Sequence, residues 1–266
     1  MNPRFGRVIT AMITPFNSDG SLDVQGACDL AQWLAEQGNN ALVLAGTTGE
    51  SPTITQDEQI QLVEAVAQAV DIPVIAGAGS NDTRSAITNT QRCEQAGAKG
   101  ILSVTPYYNR PSQAGLYEHY LRISDCTELP IMLYDIPIRT GRTLESETML
   151  RLAEETENIV AVKDAAGDIE ATAELVAQAP DGFEVYSGED ALTLQLLAVG
   201  VVGTVSVASH WTTPETVSLM ESFFSGDLDK AKQINQQLIP SYDFESGDLN
   251  PNPIPTKAMM KVLGLP

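Results

Sequence analysis

Ile159-Val160-Ala161-Val162-Lys163-Asp164 is the stretch on which the reading of the fold turns. Four apolar residues, three of them β-branched, run without polar alternation into a lysine and an aspartate. Such a run suits a strand covered on both faces, the condition of a parallel sheet. Working outward, the same signal recurs at 8–12, 41–44, 73–76, 100–104, 131–134, 183–186 and 201–207. Helical patterns fill the intervals. Leu30, Trp33 and Leu34 share one face; Ile60, Val63, Ala67 and Val70 share another; Leu116, Tyr120 and Ile123 make a third. Thr55 with Glu58 reads as a capping box, and Thr213-Pro214 as a cap followed by proline at the first helical position. Further helical patterns run over 144–155, 169–179 and 191–199. Eight strand–helix units in one chain predict an α/β fold of the closed (β/α)8 TIM-barrel type rather than an open doubly wound sheet. The barrel is expected over 1–225 and a helical extension over 226–266, with helices at 227–238 and 255–263 around a proline-punctuated loop.

Composition narrows the function. The 266 residues are 43% hydrophobic, enough for a sizeable core and too many for a disordered chain. Thirty-five acids against fifteen bases give a net charge of −20, which repels nucleic acid and anionic membranes. Lysine is scarce and the acids are spread along the chain, as suits a cytoplasm of very high salt in which screening removes self-repulsion. The N-terminus carries Arg4 and Arg7 but no long apolar stretch, and Cys28, Cys93 and Cys126 have no metal-ligand spacing, so a cytoplasmic protein with reduced thiols is expected. The segment 191–214 holds no charged residue. Gly200, Gly203 and several polar residues interrupt it, so it reads as a buried helix and a buried strand, not a membrane span.

In a barrel of this kind the site lies at the C-terminal ends of the strands. Those positions hold Gly46–Ser51, Thr105–Arg110, Tyr134-Asp135, Lys163-Asp164 and Ser187–Asp190. Lys163 stands out because three apolar residues precede it in a buried strand. A lysine there either pairs, with Asp164 or Glu189, or is a neutral nucleophile able to form a Schiff base. Tyr134, one strand earlier, is either a proton donor and acceptor or an amphipathic core tyrosine. Gly46–Ser51 either presents N–H groups to a carboxylate or is a plain loop. His119 and His210 read as structural, and no metal site is expected.

The pieces GTTGES at 46–51, VTPYYNRPSQAGLY at 104–117 and PNPIP at 251–255 carry a resemblance. YDIPIRTG at 134–141 and VKDAAG at 162–167 carry it with changes. Over 8–265 the chain resembles the dihydrodipicolinate synthase family of class I aldolases, which also holds N-acetylneuraminate lyase. The resemblance implies condensation of pyruvate with L-aspartate 4-semialdehyde, in the diaminopimelate route to lysine. It implies that Lys163 forms the imine with pyruvate, with no cofactor, and that Tyr134, Thr47 and Tyr108 form a proton relay. Tyr108 would reach in from a neighbouring subunit, in a homodimer or homotetramer. Thr48, Val205, Arg139 and Gly188 would bind substrate, Thr48 taking the pyruvate carboxylate and Arg139 that of the aldehyde. The alternative is an aldolase for a 2-keto-3-deoxy sugar acid using the same lysine; a keto-acid sensor would not need the full relay.

The departures are specific. Family members usually carry Asn at Asp135, Ser at Ile138 and Glu-Ala-Thr-Gly after the lysine, and they continue past 266. Asp135 is expected to add a charge near the site. Where lysine-inhibited members have His, His and Glu beside the residues matching Asn81 and Tyr107, this chain has Gln56, Gln59 and Ser85. Weak or absent feedback by lysine is therefore expected.

Overall fold

All eight apolar runs form strands: β1 (Val8–Ala11), β2 (Ala41–Leu44), β3 (Val74–Gly77), β4 (Gly100–Val104), β5 (Ile131–Asp135), β6 (Ile159–Asp164), β7 (Glu184–Ser187) and β8 (Gly203–Ser206). In the computed structural model, which describes residues 3–245, 247 and 249–266, they pair in chain order to close a barrel. Every pairing is parallel, and β8 returns to β1 with Val8 opposite Thr204.

The absence of polar alternation now has its cause. Ile9, Val43, Ile75, Met132, Ala161, Tyr186 and Val205 fill the barrel, while Leu42, Leu44, Leu133, Val162 and Val185 pack outward beneath the helices. Both faces of each strand are therefore buried.

The helices are α1 (Val24–Glu36), α2 (Gln56–Ala69), α3 (Thr83–Gln95), α4 (Gln113–Ser124), α5 (Pro137–Thr140), α6 (Ser146–Glu155), α7 (Ile169–Gln178), α8 (Thr193–Ala198), α9 (Ser209–Phe224), α10 (Leu228–Glu245) and α11 (Ile254–Val262). The capping box at Thr55 and Glu58 is formed in full. The buried face of α2 is rotated from the expected one, to Gln59, Leu62, Val63 and Val66. Gln59 is tolerated inside because its amide donates to the Gly77 carbonyl at 2.8 Å. Thr213-Pro214 does open a helical arm, one residue out of the expected register: α9 is two helices joined at Thr212, whose backbone is non-helical (φ −123°), and Pro214 sits in the first turn of the second. The Thr213 hydroxyl bonds back to the Ser209 carbonyl, and the proline falls just past the kink, where a missing N–H is tolerated.

The segment 191–214 becomes a short 3-10 turn, α8, β8 and the start of α9. Among the described residues no helix is long and apolar enough to cross a membrane. Beyond the expected 227–238, α10 continues through Pro240 to Glu245. Ile234 and Leu238 pack on Leu219 and Met220 of α9, and the Trp211 indole donates to Ser241 Oγ at 3.1 Å. This docking carries the C-terminal residues back over the strand ends.

Candidate active site

Register places Lys163 of β6 beside Tyr134 of β5 and Tyr186 of β7. All three side chains point into the barrel, because residues opposite one another in a ladder share a face. Lys163 is 5% exposed, and its Nζ lies 4.5 Å from the centroid of the Tyr134 ring. Asp164, one residue on, faces the other way. Its carboxylate accepts from Ala166 N at 2.9 Å and Thr172 Oγ1 at 2.6 Å, near the start of α7. Among the described residues no carboxylate lies within ion-pair distance of Lys163. Burial and Asp190 push the Glu189 carboxyl up, while Lys163 pulls it down, so Glu189 feels the lysine through space.

The same alternation corrects the reading of Asp135. It lies behind β5, where it accepts from Leu144 N at 2.9 Å and faces Asp164 across the sheet. Burial pushes it up to about 7, with Asp164 adding to the shift. Its charge is on the far side of the strand from Lys163.

Lys163 and Tyr134 open into a cavity of about 440 Å³ whose walls include Thr47, Thr48, Ile138, Arg139, Gly188 and Val207. A second cavity of about 360 Å³ shares Thr47, Tyr134 and Arg139 and extends to Tyr107. Gly188 has a steric reason to be glycine: a Cβ there would sit 2.9 Å from Lys163 Cγ and 2.8 Å from the Ala165 methyl. Arg139 stands on α5, a single turn closed by Gly141 in the left-handed conformation. Of the expected substrate contacts, Val205 lies deeper, in the interior cluster with Tyr134, and Val207 lines the cavity instead.

The turn 46–51 is pinned from several sides. Thr14 Oγ1 donates to the Gly49 carbonyl at 2.6 Å, and Glu50, at φ 54°, is ion-paired to Lys257. Among the described residues the N–H groups of Thr47 and Thr48 have no hydrogen-bond partner. Thr48 Oγ1 accepts from Asn252 Nδ2 at 2.9 Å. These groups can take a carboxylate. Asn252 has no local sequence signal for this role, since its partner lies 204 residues away.

Tyr108 is not brought to Lys163 within one chain. It is 90% exposed, has φ 72° and lines neither cavity. Asn81 donates to the Tyr107 carbonyl at 3.1 Å, and Asn109 donates to the Asn81 carbonyl at 2.9 Å, so this loop is held by its own polar contacts.

The histidines are both structural. His210 Nε2 accepts from Ile13 N at 3.1 Å while Nδ1 meets the Val207 carbonyl at 2.8 Å, and His119 Nδ1 meets Thr83 Oγ1 at 2.8 Å. Burial lowers each to about 4, so both are neutral. Among the described residues no cluster of His, Cys, Asp or Glu is arranged to hold a metal.

Known proteins resemble the chain over nearly its whole length. The family described as the dihydrodipicolinate synthetase family matches residues 4–266. A 4-hydroxy-tetrahydrodipicolinate synthase of Synechococcus elongatus is 50% identical over 263 residues, covering 98% of this chain and 87% of the relative. The crystal structure of a dihydrodipicolinate synthase from Bacillus anthracis matches with a TM-score of 0.95 at 41% identity, over 98% of this chain and 89% of that one. That of the enzyme from Cyanidioschyzon merolae with lysine bound matches with a TM-score of 0.95 at 44% identity, over 99% and 90%. With identity this high running from the first strand to the last helix, the chain belongs to the dihydrodipicolinate synthetase family.

Proposed function

We propose that the protein is a 4-hydroxy-tetrahydrodipicolinate synthase, a lyase of the class I aldolase type that condenses pyruvate with L-aspartate 4-semialdehyde. The observation that carries this reading is the buried Lys163, with no carboxylate within ion-pair distance among the described residues, set against the Tyr134 ring at the wall of a shared cavity. A neutral lysine amine adds to the pyruvate ketone, and Tyr134 returns a proton to the departing hydroxyl, so that water leaves and an imine forms. Loss of a methyl proton gives the enamine. Its terminal carbon attacks the aldehyde, and the alkoxide takes up a proton. The amino group of the adduct then adds to the imine carbon, closes the ring and releases Lys163. The imine itself is the electron sink, so the mechanism calls for no cofactor.

In this reading Thr48 and the 47–48 backbone hold the pyruvate carboxylate, Val205 and Gly188 border the keto acid, and Arg139 receives the carboxylate of the aldehyde. Thr47 passes protons between Tyr134 and Tyr108, which a second copy of the chain supplies; the exposure of Tyr108 supports an assembly of at least two chains. The charge of −20 supports work in a cytoplasm of high salt. Gln59 donates to Gly77 and the Ser85 hydroxyl to Asp82, so neither offers a carboxylate to an amine, and feedback by lysine is weak or absent.

The experiment is turnover of pyruvate in molar KCl with L-aspartate 4-semialdehyde and with glyceraldehyde, each with and without lysine. Turnover with the semialdehyde alone is expected. Turnover with glyceraldehyde alone would move the protein to the sugar-acid aldolases and make Ile138, beside Arg139, the first residue to examine. Strong inhibition by submillimolar lysine would defeat the feedback reading.

A further inference from the structure

One wall of the Lys163 cavity is made of Glu189, Asp190 and Glu245. Asp190 is buried, and its Oδ2 accepts from Val207 N at 2.7 Å and Ala208 N at 3.0 Å, just past the end of β8. Glu245, the last residue of α10, is 6% exposed, and its buried Oε2 has no hydrogen-bond partner among the described residues. Its carboxyl shares that wall with the carboxyl of Asp190, near enough for the charge on one to act on the other. Ionised carboxylates only accept, so two anions this close would repel and leave the buried oxygen unsatisfied. The other titratable groups facing the pair supply no cation: Tyr242 comes from α10, the neutral His210 from α9, and Glu189 precedes Asp190 in the chain. Lys163 acts on Glu189. One proton between the two carboxyls resolves the conflict. Asp190 Oδ2 already takes the Val207 and Ala208 N–H groups, while Glu245 Oε2 is left without a partner among the described residues, so we place the proton on Glu245.

We propose that Glu245 is a positioning residue of the active site: as a neutral carboxylic acid it donates a hydrogen bond to Asp190, and so fixes the Val207–Ala208 backbone against the Lys163 cavity. Burial first, then Asp190 and Glu189, push Glu245 up to about 11 against a smaller opposing pull from the Ala208 N–H, in the direction of a neutral acid. The C-terminal helix thereby holds the strand end that borders the keto acid.

The test has two arms, and only the kinetic one rests on the function proposed above. In the infrared, the wild type minus E245Q difference at about pH 8, where ordinary carboxyls are ionised, is expected to contain the C=O stretch of a protonated carboxylic acid. A difference holding only carboxylate bands would overturn the assignment. In kinetics, E245A is expected to raise the KM for pyruvate about ten-fold and change kcat by less than about three-fold, and E245Q, whose amide still donates to Asp190, to restore KM to within about two-fold. An unchanged KM in E245A, or an E245Q as impaired as E245A, would also overturn it. If E245A does not fold, E245Q and the infrared arm still decide. Failure of the wild type to form a borohydride-trapped pyruvate imine would sink the Schiff-base reading instead, with the infrared arm still deciding the state of Glu245.

Discussion

The floor and the roof of the Lys163 cavity are held in different ways. The floor, Tyr134 and Lys163, belongs to adjacent strands locked by a parallel ladder with both faces buried. A slip of one residue there would turn every side chain of the strand to the other face, so register is strongly specified. The roof, Glu245 and Asn252, arrives from the C-terminal helical region; Asn252 reaches the turn by one hydrogen bond to Thr48 and is steadied by Thr256, and Glu245, in the proposal above, by one to Asp190. Each such bond is worth about 1 kcal/mol. A rigid floor fits a role in covalent chemistry, and a softer roof fits a role in affinity.

Substitutions can break that contrast. K163A should remove all turnover and all borohydride trapping of pyruvate while leaving the barrel folded; residual trapping would mean that another amine forms the imine. Y134F should lower kcat by about 10²–10⁴-fold, the range of a lost general acid–base, with little change in melting temperature. D135N probes the other face of β5. Asp135 keeps its proton in the fold up to about pH 7, whereas the unfolded chain ionises near 3.8. The unfolded state therefore gains as pH rises, and the fold loses stability between those values, by at most ~4 kcal/mol for a shift of about three pKa units. D135N should stabilise the protein in denaturant titrations above about pH 7 and make no difference at about pH 3.5, with catalysis intact.

The roof should respond more mildly. N252A should raise the KM for pyruvate about three- to ten-fold with kcat nearly unchanged, as for loss of one hydrogen bond. An equal fall in kcat would erase the distinction between floor and roof. The smallest effect belongs to K257M, which breaks a partly exposed ion pair with Glu50: stability should fall by about 1 kcal/mol or less and KM by less than a factor of about two either way.

The floor was legible in the sequence because its signal is local. An apolar run ending in lysine and another ending in tyrosine give strand, burial and strand-end position at once. Asp135 was misread although the means were present: neighbours along a strand face opposite ways, so a residue beside Tyr134 points away from the site. The roof was not legible. Nothing near Asn252 points to Thr48, and nothing near Glu245 points to Asp190, because each pairing exists only once α10 has docked on α9. Gln59 and Thr213 teach the same lesson in the helices. A polar residue can sit inside when a backbone carbonyl waits for it, and a helix start can fall one residue from where its cap is read.

The bond between Asn252 and Thr48 spans 204 of the 266 residues, and the closing pair of the barrel joins β1 to β8. During synthesis Thr48 leaves the ribosome 204 residues ahead of Asn252. A nascent chain therefore carries Lys163 and Tyr134 for some time before Asn252 can brace Thr48, and a chain cut short after β8 would keep that pair without the brace. The order of synthesis thus separates the lysine in time from the residue that braces the 46–51 turn.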